Sequence, residues 1–232
     1  MQIFARGPNG TVLPASRAVA GVDYKCLECG QIVRLRAGSQ RIRHFYHRRR
    51  TRRCRQSGKS LTHLRVQERL HALLPNSQLE HPFPSIGRIA DLFWPEKNLI
   101  FEVQCSPIAA EEVAARNADY DRLGLTVVWI LHDRRFNRRH LTAAEHFLHD
   151  KPHYFTDIDS SGAGTFYDQK NIARQGLVLR RSRRFPVQLN RPLENGRFAG
   201  DADPLPQLNI PPPRREFRPY QILFRLILEK IC

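Results

Sequence analysis

Long apolar runs are missing from this 232-residue chain. Nowhere do roughly 18 apolar residues follow one another, the length a membrane-spanning helix needs. The opening MQIFARGPNG has no basic-then-apolar leader pattern. A cytoplasmic location with no membrane partner is therefore expected. Cysteine is sparse, at five residues. An odd count suits metal ligands or free thiols better than a disulfide framework. Internal repeats are absent. Acidic residues are absent between Glu28 and Glu68, an interval that holds twelve Arg and Lys.

What is abundant is positive charge, 38 Lys and Arg against 22 Asp and Glu, for a formal net charge of +16. That excess points to a polyanionic partner. A ribosomal protein or a binder of anionic membranes shares it, so charge alone names no reaction. The densest run is RIRHFYHRRRTRRCRQSGK, residues 41–59. Arg41, Arg43, Arg48, Arg49, Arg50, Arg52 and Arg53 are its candidate phosphate contacts, which would position a nucleic acid without reading its sequence. Phe45 and Tyr46 could stack on bases if exposed.

The same region carries Cys26-x-x-Cys29, His44-x-x-His47 and Cys54. A Cys pair followed by a His pair is a zinc pattern, with Cys54 able to replace either histidine. Imidazole and thiolate both suit zinc, and four such ligands make a closed structural site.

Further on, Ser60 caps a helix to about Leu74, which Pro75 ends. A strand follows at 77–83. Then comes GRIADLFWPEKNLIFEVQCS, 87–106, two runs of period 2 around Pro95-Glu96-Lys97-Asn98. Closing a four-residue loop between Trp94 and Leu99 sets Asp91 opposite Glu102, with Cβ atoms roughly 4.5–5.5 Å apart. Two carboxylates so close repel unless one protonates or a cation joins them. Mg²⁺ suits such oxygen ligands, and Gln104 shares a face with Glu102. The bland alternative pairs one carboxylate with an arginine such as Arg88. Ser106-Pro107 starts a helix to about Leu123, stopped by Gly124. LTVVWIL, 125–131, is a buried strand with Trp129 in the core, and a short helix lies near 141–149. Short strands are expected within 152–180, then an extended, poorly packed Pro- and Arg-rich segment over 181–219. A last helix is expected over Tyr220–Ile231.

Helix, three strands, helix, strand, with Asp on one strand and Glu-x-Gln on the next, resembles the PD-(D/E)XK nuclease superfamily. More narrowly, the chain resembles the competence protein CoiA-like family over residues 24–132. The residues that carry this are Cys26-x-x-Cys29, His44-Phe45-x-His47, Ser60-x-x-His63, Glu80, Arg88-Ile-Ala-Asp91, Phe101-Glu102-x-Gln104-x-Ser106 and Arg116-x-x-x-Tyr120 ahead of Trp129-Ile-Leu. The resemblance implies a metal-dependent nuclease-like core acting on DNA. It implies Asp91 and Glu102 as ligands of Mg²⁺ or Mn²⁺, Gln104 where many superfamily members have Lys, Glu80 as an acid ahead of the hairpin, and His63 as a helix residue facing the site. Gly58-Lys59 stand where an acidic residue is common in relatives, and Gln67 where a basic one is.

Chemically, a metal on Asp91 and Glu102 would act as Lewis acid and activate water. His63 could shuttle a proton. Gln104 can only orient or donate, so slow or partner-dependent hydrolysis is expected. Arg116 and Tyr120, one helical turn apart, are candidates for phosphate or for the carboxylates.

The expected class is α/β, a PD-(D/E)XK nuclease-like core of mixed sheet flanked by helices, with a small zinc-ribbon-like module. The division expected is N-terminal strands over 1–23, the Arg-rich module over 24–57, the core over 58–150, a β extension over 151–190 and a tail over 191–232. The expected function is a Mg- or Mn-dependent deoxyribonuclease with structural zinc, binding DNA without sequence preference. It would serve processing, recombination, uptake or defence, with a protein partner. The rivals are a weakly active or inactive nuclease-fold accessory protein and a basic RNA- or ribosome-binding structural protein.

Overall fold

In the computed structural model, the described residues are 1–192, except 39, 40, 50–53, 55 and 57, together with Gly196, Phe198 and Ala199. The expected helix over Tyr220–Ile231 lies outside them.

Strands β1 (Phe4–Arg6), β2 (Val12–Pro14), β3 (Asp23–Lys25), β4 (Ile32–Gly38) and β5 (Arg41–His47) form a five-stranded sheet in the order β2-β1-β3-β4-β5. Residues 1–23 and the Cys/His segment thus share one sheet. Its core is Ala5, Tyr24, Val33 and Phe45, with Cys26 and Cys54 at one end. Phe45 is fully buried and stacks near Tyr24, so it is not a base-stacking residue.

The second sheet has seven strands. α1 (Leu61–Leu73) precedes β6 (Gln78–Phe83), β7 (Arg88–Trp94) and β8 (Leu99–Gln104). α2 (Ala110–Asp121), β9 (Thr126–His132) and α3 (Ala143–Leu148) follow, then β10 (His153–Thr156), β11 (Phe166–Asp168), β12 (Asn171–Arg174), β13 (Leu177–Arg181) and β14 (Phe185–Pro186). The order is β14-β11-β10-β9-β8-β7-β6, with β8–β9 and β9–β10 parallel and the other pairs antiparallel. β12 and β13 form a separate hairpin. A mixed sheet with helices on both faces is the expected α/β core.

Local signals explain most of this. The Ser60 hydroxyl accepts from His63 N at 3.1 Å and caps α1. Asn98 takes a left-handed φ of 53° at the tight turn between β7 and β8, where a short polar side chain tolerates that region. Pairs Leu92–Phe101, Phe93–Ile100 and Trp94–Leu99 realise the expected register. α2 begins three residues later than expected, with Ala109 as cap. The Gln104 amide donates to the Ser106 carbonyl at 2.6 Å and to its hydroxyl at 3.2 Å, which ties Ser106 into a turn.

Packing divides by sheet face. α1 covers Leu92, Trp94, Phe101, Val103, Val128 and Ile130, and α2 and α3 cover Ile100, Val127, Trp129 and Leu131. The segment after 181, expected to pack poorly, is corrected in part. β15 (Gln188–Pro192) and β16 (Phe198–Ala199) pair, and Leu189 and Phe198 are buried in the α1-side core. Burying a Leu and a Phe contributes roughly 1.5–3 kcal/mol each, enough to hold a Pro- and Arg-rich segment in place.

Candidate functional site

Two centres stand out. In the first, the Sγ atoms of Cys26, Cys29 and Cys54 and a ring nitrogen of His47 lie within 4.8 Å of one another. Cys26 Sγ is 3.6 Å from Cys54 Sγ, and Cys29 Sγ is 3.3 Å from His47 Nε2. A zinc tetrahedron with ordinary Zn–S and Zn–N bonds has edges of about 3.5–3.8 Å, so the donor set and its spacing fit zinc. As thiols, Cys26 donates to Gln2 Oε1 at 3.2 Å and Cys54 to Glu28 Oε2 at 3.3 Å, contacts that the thiolates of a zinc site would give up. Burial pushes the Cys26 and Cys54 thiols up and lowers the His47 imidazole.

His44 is the correction. It and His47 are three apart on a strand, so they point to opposite faces. The His44 ring meets the Ile42 carbonyl at 2.8 Å, and Cys54 completes the cluster instead.

The second centre is a row of carboxylates across three strands. Leu79–Leu92 and His81–Ala90 fix the register of β6 on β7, and Leu92–Phe101 fixes that of β7 on β8. Continued by one residue, these pairings set Glu80 opposite Asp91 and Asp91 opposite Glu102. All three are buried. Glu80 has a φ of 48°, an uncommon backbone for a non-glycine residue.

Each carboxylate is tied down by the chain itself. Asp91 Oδ1 accepts from Lys59 Nζ at 2.8 Å, His63 Nε2 at 3.1 Å and Gln67 Nε2 at 3.1 Å, and Oδ2 accepts from Val103 N at 2.9 Å. Glu80 Oε1 accepts from Lys59 Nζ at 3.1 Å, and Oε2 from Ile3 N and Phe4 N at 2.8 and 2.9 Å. Glu102 Oε2 accepts from Arg116 Nη1 at 2.5 Å and Oε1 from the Tyr120 hydroxyl at 2.9 Å. α1 therefore holds Asp91, and α2 holds Glu102. Glu80 also pins β1 to the core.

The electrostatics follow. Burial pushes the Asp91 carboxyl up, but His63 and Lys59 outweigh it and hold it well below the usual range. Burial and the Asp91 charge raise Glu102 against the pull of Arg116. Lys59 is desolvated, yet Asp91 and Glu80 raise it and keep it charged. Burial and Asp91 push the Cys105 thiol up to about 12, so it is inert.

The residues do not fit a bare divalent cation as they stand. Every oxygen of the row already accepts from a protein donor, and Lys59 and Arg116 supply the positive charge. Among the described residues, the only group of three or more ligands that converges is the Cys₃His cluster.

A cleft of about 480 Å³ opens over the Asp91–Glu102 end of this row. Lys59, His63, Asp91, Glu102, Gln104 and Arg116 line it, with Glu28 and Gln56 from the N-terminal module at its rim. Arg88 does not pair with Asp91; it binds Asp119 at 2.6 Å and Glu112 at 2.8 Å.

Of the arginines expected on phosphate, Arg48 and Arg49 are exposed, and Arg41 opens β5. Arg50, Arg52 and Arg53 lie outside the described residues. Arg43 is tied to the Ala15 and Ala18 carbonyls at 3.1 and 2.7 Å. Arg116 and Tyr120 are turned to Glu102 rather than to an outer phosphate.

Sequence reasoning missed Lys59 and Gln67 as members of the centre, where they register only as departures from a pattern. It also missed a second basic surface. Arg134, Arg135, Arg138 and Arg139 are exposed on the loop after β9. The β12–β13 hairpin docks on that loop through Val178 N to the Arg139 carbonyl, 2.8 Å, and Arg181 Nη2 to the Arg138 carbonyl, 3.0 Å. It adds exposed Arg174, Arg180 and Arg181.

A Cys₃His cluster and a mixed-sheet core with buried carboxylates on its β7–β8 hairpin define an α/β protein with a metal-ligand type of module. Two family models bear on which kind. Competence protein CoiA, N-terminal domain, matches residues 15–57, and Competence protein CoiA, nuclease-like domain, matches residues 59–172. Together they span most of the chain, which belongs to the competence protein CoiA family. No curated protein and no solved structure matches it.

Proposed function

We propose that this chain is a DNA-processing protein of nuclease-like fold that binds the DNA backbone without sequence preference and hydrolyses it slowly, or only with a partner protein. The observation that carries this reading is the buried Asp91–Glu102 pair on the floor of the cleft, already compensated by Lys59 and Arg116. Exposed arginines on two surfaces support a polyanionic partner, since each phosphate neutralised releases counterions and strengthens binding. Gln104 supports slow chemistry. Losing one electrostatic donor at a reacting phosphate costs a factor of about 10²–10³ in rate in other enzymes, and a neutral amide replaces a charge with a dipole. His63, hydrogen-bonded to Asp91, is the group placed to relay a proton.

A second reading, a fully active Mg²⁺- or Mn²⁺-dependent deoxyribonuclease, is favoured by the nuclease-like family match over 59–172, which spans the whole centre. Cleavage of labelled single-stranded, duplex and branched DNA separates the two. Wild type, Asp91→Asn and Glu102→Gln are compared with Mg²⁺, with Mn²⁺ and in metal-free buffer. DNA binding with little cutting in every condition is the expected result. Fast metal-dependent cutting, lost in both folded variants, establishes the second reading. No DNA binding by wild type overturns both.

A further inference from the structure

We propose that the Lys59 ammonium is the resident cation of the Glu80–Asp91–Glu102 row, so that the folded core has no divalent-metal site until that ammonium is removed. The inference concerns the same centre as the reading above but does not depend on cleavage, because metal binding is its readout.

Three carboxylates in one cross-strand row are a conflict, as like charges directly opposite destabilise a sheet. Burial sharpens it, because desolvation disfavours the charged form. The row stays together only if cations enter it. Arg116 reaches Glu102 from α2. Lys59 sits between the other two, 2.8 Å from Asp91 Oδ1 and 3.1 Å from Glu80 Oε1, with its side chain only 8% exposed.

An ammonium offers three donors at one point and binds as a compact charge. That is the role a hard divalent ion plays among carboxylate oxygens, at a different distance. Mg²⁺ needs near-octahedral oxygens at roughly 2.0–2.1 Å. Asp91 Oδ1 has three protein donors on it, and Oδ2 is held by the backbone of β8. A metal could enter only where the ammonium now lies.

Lys59 is also fixed in place. Ser60, its neighbour, is the α1 cap, and the Lys59 carbonyl accepts from the N-terminal ammonium of Met1 at 3.4 Å. Removing the charge while keeping the volume, as in Lys59→Met, leaves Asp91 and Glu80 facing each other without a cation. Two carboxylates and water then suffice for a divalent ion.

The test titrates Mn²⁺ into the zinc-loaded full chain in metal-free buffer, by electron paramagnetic resonance and by melting temperature. Wild type, Lys59→Met, Lys59→Gln and the double variant Lys59→Met/Asp91→Asn are compared. Wild type is expected to bind no Mn²⁺ that Asp91→Asn abolishes, and its melting temperature should not move with Mg²⁺ or Mn²⁺. Lys59→Met and Lys59→Gln should bind Mn²⁺ at least about tenfold more tightly than wild type, since the competing charge is gone, and should melt higher when it is present. Both gains should vanish in the double variant. Should Lys59→Met fold only with Mn²⁺ present, that too supports the proposal. Failure to fold in either condition overturns it, unless Lys59→Gln gains the site. Mn²⁺ bound by wild type at Asp91 within tenfold of the variants overturns it outright.

Discussion

Both centres of this protein gather ligand-type groups, yet they differ in what already touches those groups. At the N-terminal centre the sulfurs and His47 bond to one another, to Gln2 and to Glu28. Burial keeps the thiols protonated, with the Glu28 carboxylate beside Cys54. A metal that takes thiolates removes that conflict at a stroke. In the core, every carboxylate oxygen has a donor, and the positive charge comes from Lys59 and Arg116. Convergence of acids is therefore a poor guide to a metal. What decides is whether the oxygens still lack partners and whether the charge is still uncompensated.

Zinc loading breaks or keeps this contrast with the largest effect. Structural zinc in small domains binds with apparent free energies on the order of 10 kcal/mol. Cys54→Ala should drop bound zinc from about one ion per chain to near zero, because a closed tetrahedral site needs all four ligands. His44→Ala should leave zinc untouched. Metal analysis and the melting curve of each variant decide. Zinc lost in His44→Ala but retained in Cys54→Ala would reverse the assignment.

Next in size is the core. Removing one member of a buried ion pair costs about 3–5 kcal/mol, so Lys59→Met and Asp91→Asn should each lose that much in urea unfolding in metal-free buffer. The double variant should lose less than the sum, with a coupling of at least about 1 kcal/mol. Simple additivity would mean that Lys59 does not compensate Asp91.

The pH dependence sharpens the picture further. Asp91 titrates below its ordinary value of 3.8 in the folded chain. Its stabilising contribution is thus full above that value and fades as pH falls through the lowered one. Glu102 is shifted the other way, so its ionisation weakens the fold near neutrality. The stability gap between wild type and Asp91→Asn should be widest near pH 7 and close in strong acid. Glu102→Gln should cost less than Asp91→Asn at pH 7. Equal losses at pH 7 would contradict the opposed shifts.

How much of this was legible depends on whether a residue's partner lies near in sequence. The hairpin of Asp91 and Glu102 was readable, because alternation and the Pro95–Asn98 turn fix a local register. So was the α1 cap at Ser60. The same register reasoning, carried one strand back to β6, would have placed Glu80 in the row and shown that three acids need cations. Lys59 lies 21 residues from Glu80, and no local pattern joins them. Cys54 rather than His44 joins the cluster because the segment is a strand, where residues three apart cannot share a face, and strand geometry is not evident in so charged a run. The core role of Leu189 and Phe198 was hidden because isolated apolar residues among Arg and Pro carry no period.

The smallest effects belong to the basic surface, and they extend the comparison from metal to nucleic acid. If the core row is neutralised from within, DNA affinity has to come from outside it. Arg134, Arg135 and Arg180 are exposed, on elements joined by backbone hydrogen bonds, and none belongs to either centre. Each phosphate that the protein no longer neutralises makes the slope of log affinity against log salt shallower by about 0.9. The triple Arg→Gln variant should therefore bind duplex DNA with a slope shallower by about 2–3 on that scale, while its melting temperature holds and its zinc content stays at wild-type level. Arg48 and Arg49, which follow His47 of the Cys₃His module, offer the matching pair for comparison. If neutralising them flattens the slope and the triple variant does not, the DNA path runs over the N-terminal sheet alone. If both flatten it and the effects add, both surfaces contact the DNA backbone. Lys59→Met should leave the slope unchanged, since an ammonium already paired with Asp91 and Glu80 releases no counterion from DNA.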